Sequence, residues 1–207
     1  MKIAVVSESS ADEAAVKILV DAIVGTEAEM VALRTRPNGW PQVLNLLPNI
    51  IISLHYGTNV DALVVVVDSD ESPVHQNSHE RSPAENLQCR LCLLRTAVES
   101  ALAKVRPLPN RPNMKTALGL AVPAIEAWYR CGVNSHVNEV AWNRKLLGQD
   151  VSYDKRSMKK EAYGSYQPNT SAAMEAAKQL ANNLELLERL FPNGFGSLLR
   201  DVRWWSE

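Results

Sequence analysis

Asp61-Ala62-Leu63-Val64-Val65-Val66-Val67-Asp68 is the stretch on which the fold turns. Its apolar residues are consecutive rather than alternating, mostly β-branched, and closed at both ends by aspartate. A short run of this kind reads as a strand buried on both faces, as in a parallel sheet covered by helices. Upstream, Lys2 to Ser7 reads as an earlier strand. Ala11 to Val24 then sets Ala15, Ile18, Leu19, Ala22 and Ile23 on one helical face, with Ser10 expected as the N-cap and Glu13 completing a capping box. Glu29 to Leu33 reads as a short second strand, Pro37-Asn38-Gly39 as a turn, and Pro41 to Leu54 as a helix that Pro48 interrupts or divides. Downstream, Ser72 to Pro83 is polar and turn-rich. Glu85 to Lys104 is helical with Leu87, Leu91, Leu94 and Val98 on one stripe, and Lys115 to Val122 is a fourth strand. Pro123 is expected at the first position of a helix over Ala124 to Arg130.

Strands alternating with helices in this way predict an α/β three-layer sandwich with a mainly parallel sheet over residues 1–133. Residues 134–207 read as a helical C-terminal extension, with helices over Asn138 to Leu147, Lys155 to Tyr163 and Ser171 to Leu190. These helices are too few to enclose a core of their own, so they are expected to pack on the same domain. A chain of 207 residues is the size of one domain. Hydrophobic residues make up 46%, yet no apolar run approaches the roughly 20 residues of a membrane span. The first residues read as a strand and not a signal peptide. Three cysteines suit a reducing compartment, and the expectation is a soluble cytoplasmic protein. A net charge of −1 gives no global attraction for a polyanion, so nucleic-acid binding would need local patches and metal ions. No GxGxxG, GxxxxGK[ST] or GxSxG motif is present, which removes the usual dinucleotide, P-loop and serine-hydrolase chemistries.

In open α/β sheets ligands sit at the carboxyl ends of the strands, and here the polar residues at those ends are acidic. Glu8 follows the first strand, Asp68 and Asp70 follow the valine-rich strand, and Glu126 follows the fourth. Asp68 and Asp70 are two apart in extended chain, so both point to one side and can hold a hard cation through oxygen. Asp12 falls in the first turn of the following helix and can face the same mouth. So many carboxylates repel one another unless a divalent ion offsets them. Single acidic residues at strand ends are also common as turn or capping residues.

The order of these residues resembles the Toprim fold of topoisomerases, primases and OLD-family nucleases, in which a Glu follows strand one and an Asp-x-Asp follows a later hydrophobic strand. More narrowly, VVSESSADEAAV at 5–16, DALVVVVDSDES at 61–72 and AVPAIEAWY at 121–129 are similar to the small stand-alone Toprim-like proteins of the DUF4276 group. That group carries an Ile-Glu-x-Trp segment and a Lys-rich helix. Ser9 stands where Toprim proteins usually have glycine. The resemblance implies that Glu8, Asp68 and Asp70 hold one divalent ion, Mg²⁺ or Mn²⁺, with Asp12 and Glu126 completing a second site. It implies two-ion phosphodiester chemistry, with Lys159 or Lys160 offsetting charge on the phosphate. The expected function is a metal-dependent nuclease on DNA or RNA, in a phage-defence or toxin-like role, with nucleic acid as partner, a partner ATPase or regulator, and homo-oligomers left open. The alternatives are a non-catalytic module that binds nucleic acid or protein, and phosphoryl transfer on a small molecule.

Two other constellations stand out. His75, His79, Cys89 and Cys92 form His-x₃-His and Cys-x₂-Cys pairs near the ligand spacing of a structural zinc site. The helical reading of 85–104 instead puts both cysteines inside a helix, with partly buried thiols and solvent-exposed histidines as the plainer reading. Tyr153, Lys155, Arg156, Lys159, Lys160, Tyr163 and Tyr166 interleave basic and aromatic residues, suited either to phosphates and unpaired bases or to a surface helix with tyrosines packed beneath it. Arg200, Arg203, Trp204 and Trp205 carry apolar bulk that docks on the domain or meets a partner subunit.

Overall fold

The computed structural model describes residues 1–81, 86–134 and 136–206. Its sheet has four strands, β1 (Lys2–Val6), β2 (Glu29–Met30), β3 (Ala62–Asp68) and β4 (Lys115–Ala121), in the order β2-β1-β3-β4 and all parallel. The valine-rich run is β3, paired on both sides, with Val64 opposite Val5 and Ala117. Every residue from Ala62 to Val67 is buried, as the uninterrupted apolar pattern requires. Each fully buried valine or leucine contributes about 1.5–3 kcal/mol, which makes this strand the centre of the core.

α1 (Ser10–Val24) carries the chain from β1 outward to β2, while α2 (Trp40–Gly57) and α3 (Arg90–Leu102) carry it back across to β3 and β4. Right-handed crossovers running in opposite directions place α1 on one face and α2 with α3 on the other, and α2 packs on α3. The arrangement is α/β and compatible with a three-layer sandwich. After β4 come α4 (Ile125–Tyr129), α5 (Glu139–Leu146), α6 (Lys155–Tyr163), α7 (Thr170–Ala181), α8 (Leu184–Leu190) and α9 (Phe195–Arg203). No helix among the described residues is long and apolar enough to cross a membrane.

The C-terminal helices are more than an extension. α7 packs along α1, and α9 lies against both α1 and β4. Leu118 N donates to Asp201 Oδ2 at 2.9 Å and Leu120 N donates to the Gly194 carbonyl at 3.3 Å, so α9 and its approach satisfy the free edge of β4. Arg95 of α3 donates to Ser197 of α9 at 2.8 Å, closing the two helix layers around that edge. Gly119 lets α9 approach, since a Cβ there would lie 3.2 Å from Leu198 Cβ and 3.1 Å from Val66 Cγ2. Trp205 docks, with Nε1 donating to the Thr116 carbonyl at 3.4 Å, while Trp204 is 71% exposed.

Several local expectations change. The cap of α1 is Ser9, one residue before the expected Ser10, and it accepts from Asp12 N. β2 spans two residues instead of five. α2 runs through Pro48 unbroken, because the face carrying Leu47, Ile50, Ile51 and Leu54 is buried and outweighs a proline cost of about 3 kcal/mol. The start of the expected helix at Glu85 lies outside the described residues, as do Ser82 and Pro83 of the preceding turn; α3 begins at Arg90, and Leu87 is 68% exposed rather than on the core stripe. Pro123 is not the first residue of α4; it follows a cis peptide, and Ala124 is the N-cap. Ser171 to Leu190 is divided at Asn182-Asn183 into α7 and α8.

Gly194 sits where a Cβ would lie 2.0 Å from the Leu120 carbonyl oxygen. Gly194→Ala is therefore expected to cost roughly 2–3 kcal/mol or more by forcing α9 off β4. A urea midpoint equal to the wild type's would show that this approach is not constrained.

Candidate active site

β1 ends at Val6, and the hydroxyl of buried Ser7 donates to the Val66 carbonyl at 2.8 Å, fixing the chain against β3 as Glu8 leaves the sheet. Glu8 Oε1 accepts from Asp68 N at 2.9 Å and Oε2 accepts from Trp40 N at 3.1 Å. One carboxylate thus joins the end of β1 to the end of β3 and the start of α2. Asp68 Oδ1 accepts from Ile125 N at 3.0 Å, which adds the start of α4. Asp68 Oδ2 accepts from Lys155 Nζ at 2.8 Å, and Asp70 Oδ1 accepts from the same ammonium.

Asp70 lies beyond the strand with φ +47, the left-handed region that aspartate tolerates better than most residues. It therefore reaches the same place as Asp68 by a turn and not by strand alternation. Its N donates to the Pro123 carbonyl at 2.9 Å, and its carbonyl accepts from Trp142 Nε1 at 3.1 Å. Arg90 donates to Asp70 Oδ2 at 2.8 Å and to the Asp68 carbonyl at 2.6 Å, lies 3.9 Å from Glu8 Oε1, and stacks over Trp40 at 5.0 Å.

Asp12 and Glu126 form the inner side of the cluster. Ser9 accepts from Asp12 N and donates to Asp12 Oδ2 at 2.8 Å, so this serine orients a carboxylate. Glu126 is 2% exposed; its Oε1 is 3.8 Å from Lys159 Nζ, and its Oε2 is buried with no hydrogen-bond partner among the described residues. Tyr129 and Tyr163 meet edge to face at 6.1 Å. Burial and the nearby charges of Asp12 and Glu126 push both phenols up, so they stay protonated.

Crowding and burial set the charge states. Burial, then the Asp68 charge, pushes Glu8 up to about 7, and the same two causes push Asp12 up to about 7. Burial also raises Glu126 and Asp68, in Asp68 against the pull of Lys155. Asp70 alone moves down: its burial is outweighed by Lys155 and Arg90. Lys155 is itself raised, since Asp68 and Asp70 outweigh its desolvation.

The five expected carboxylates therefore do gather at the ends of β1, β3 and β4, although Asp70 is committed to two cations. Of the expected lysines, Lys159 faces Glu126, while Lys160 is exposed and makes no ion pair among the described residues. The central lysine is Lys155, the first residue of α6. The Asp154-x-x-Ser157 capping box marks that helix start, but it does not say which lysine of the helix turns inward. Arg90 had no sequence signal. Tyr153 and Tyr163 pack beneath α6, whereas Arg156 stacks over exposed Tyr166 at 4.6 Å.

Five carboxylates face three cations, Lys155, Arg90 and Lys159, among the described residues. The excess of two negative charges equals one divalent ion. The free buried Oε2 of Glu126 and an all-oxygen donor set fit Mg²⁺ or Mn²⁺. Glu8, Asp12, Asp68 and Glu126 are the residues that would hold it. Lys155 occupies the position between Asp68 and Asp70 that two-ion chemistry would give to metal.

Without metal, Glu8 and Asp12 bind protons more tightly folded, at about 7, than at their ordinary 4.5 and 3.8. The stability they contribute is fully present below the ordinary values and is lost as pH rises through 7. In chelator, wild type is expected to lose on the order of 5 °C in Tm relative to Asp12→Asn between pH 5 and pH 8, and Mg²⁺ is expected to narrow that gap. Parallel melting curves for the two proteins across this range would contradict the shifts. Comparison of the chain with protein-family models, curated proteins and solved structures finds no match, so its function has to be argued from these residues.

Proposed function

We propose that the chain is a Mg²⁺- or Mn²⁺-dependent phosphodiesterase of the Toprim type that cleaves nucleic acid. The observation that carries this reading is the gathering of Glu8, Asp12, Asp68, Asp70 and Glu126 from three strand ends, five carboxylates that when all ionised exceed their three cations by two charges. A bound divalent ion would polarise a phosphate oxygen and lower the pKa of a water. Glu8 and Asp68 are fixed by backbone N–H donors, so their orientation is set before substrate arrives. Asp70 holds Lys155 and Arg90 in place, and Lys155, at the partly exposed mouth, is placed to meet a phosphate oxygen. Further along α6, exposed Arg156 on Tyr166 and exposed Lys160 offer charge and a stacking face to a strand leaving the site. The phage-defence or toxin-like role and a partner ATPase or regulator rest on the Toprim resemblance alone.

One observation favours the non-catalytic binding module: Lys155 already bridges Asp68 and Asp70 without metal. Calorimetric titration with Mn²⁺, together with cleavage of single- and double-stranded DNA and RNA, separates the two. The expected result is saturable binding, with cleavage reduced on the order of 10²–10³-fold in Glu126→Gln. That variant removes a buried charge and is expected to melt no lower than wild type, so its lost activity is not unfolding. Binding without cleavage of any substrate favours the module; absence of saturable binding overturns the metal-dependent reading.

A further inference from the structure

His75, His79, Cys89 and Cys92 lie on the connection between β3 and α3, and the donor atoms of all four fall within 4.8 Å of one another. Two of the sequence expectations about them change: only Cys92 lies within a helix, and one histidine is buried. Cys89 is the N-cap of α3 and Cys92 lies in its first turn, so the pair sits at a helix start, where two thiols three residues apart can converge. His75 is not solvent-exposed but fully buried, and both thiols are 1% exposed. His79 rides on a 3₁₀ turn, Asn77–Arg81, and its Nδ1 is buried with no hydrogen-bond partner among the described residues.

The two separations from His75 to the thiols fit coordination as well as hydrogen bonding. His75 Nδ1 is 3.5 Å from Cys89 Sγ and 3.5 Å from Cys92 Sγ. A ring nitrogen has one lone pair or one N–H, so as a hydrogen-bonding group it serves one thiol well. In a tetrahedron built from Zn–S of about 2.3 Å and Zn–N of about 2.05 Å, the S···N edge is about 3.5 Å, the separation found twice here. No disulfide competes, since neither Cys89 nor Cys92 is disulfide-bonded.

We propose that His75, His79, Cys89 and Cys92 form a closed, structural Zn²⁺ site. Binding forms two Zn–S and two Zn–N bonds and releases the two thiol protons to solvent, so two thiolates balance the ion and the buried site is neutral. Soft sulfur and imidazole donors separate it from the oxygen-lined cluster, which suits a harder ion. Its place in the fold gives it a task. Arg90 follows Cys89 directly and reaches Asp70, the Asp68 carbonyl and Trp40. Zinc fixes the first turn of α3 and, through it, the arginine that orders the acidic cluster.

The test is zinc content of the purified full-length chain after dialysis into metal-free buffer, beside Cys92→Ser and Asp68→Asn. The expected result is one Zn²⁺ per chain in wild type and Asp68→Asn, and none in Cys92→Ser. Because Cys92→Ser can fail to fold, wild-type chain stripped of metal is also titrated with Co²⁺. A thiolate-to-Co²⁺ charge-transfer band with tetrahedral visible absorption, saturating at one ion per chain, is expected. Absence of that band, or zinc retained equally by folded Cys92→Ser, overturns the site. Neither readout depends on nuclease activity, so the zinc site and the acidic-cluster reading fail separately.

Discussion

One ammonium group, that of Lys155, lies between the carboxylates that close the central strand of the sheet. Three of the four parallel strands deliver acidic residues to a common edge and create a local charge density that burial makes worse, since desolvation penalises every ionised form. The raised affinities of Glu8, Asp12, Asp68 and Glu126 for protons measure that frustration, and the lowered one of Asp70 marks where Lys155 and Arg90 relieve it. Natural sequences tolerate such conflict mainly where a site needs it. A strongly perturbed cluster at the carboxyl edge of a parallel sheet is the kind of place where chemistry is expected.

The same edge depends on parts of the chain remote in sequence. Lys155 comes from α6, Arg90 from α3, and the free side of β4 is satisfied by Asp201 and the Gly194 carbonyl beside α9. Glu139 secures that approach by accepting from Gly194 N at 2.5 Å and Asn193 N at 3.0 Å. The helices after β4 are therefore structural members of the sheet's surroundings and donors to its site.

What could be read from the sequence was what is decided locally. The unbroken Ala62 to Val67 run could only be a doubly covered strand, and α6 has the bounds its pattern predicted because Asp154 caps one end and Gly164, at φ +69, ends the other. The acidic residues were legible because strand ends are where such folds place ligands. Long-range choices were not legible. Nothing local says that Lys155, rather than Lys159 or Lys160, will cross to β3, or that Arg90 will reach Asp70. Pro48 misled because its helix is held by burial against the core, an effect that propensity does not carry. α9 was missed because Gly194 and Gly196 at its start look like loop residues, and only the approach of Gly194 to Leu120 of β4 shows why glycine stands there.

The seating of α9 against β4 also has a consequence in time. A ribosome makes the chain in order, so β1 through β4 emerge well before residue 155, and Gly194 and Asp201, which shield β4, emerge later still. Until then the nascent sheet keeps an open edge, and Asp68 and Asp70 lack their ammonium partner. Whatever chemistry the acidic cluster performs, its parts come together only after residue 155 has been made.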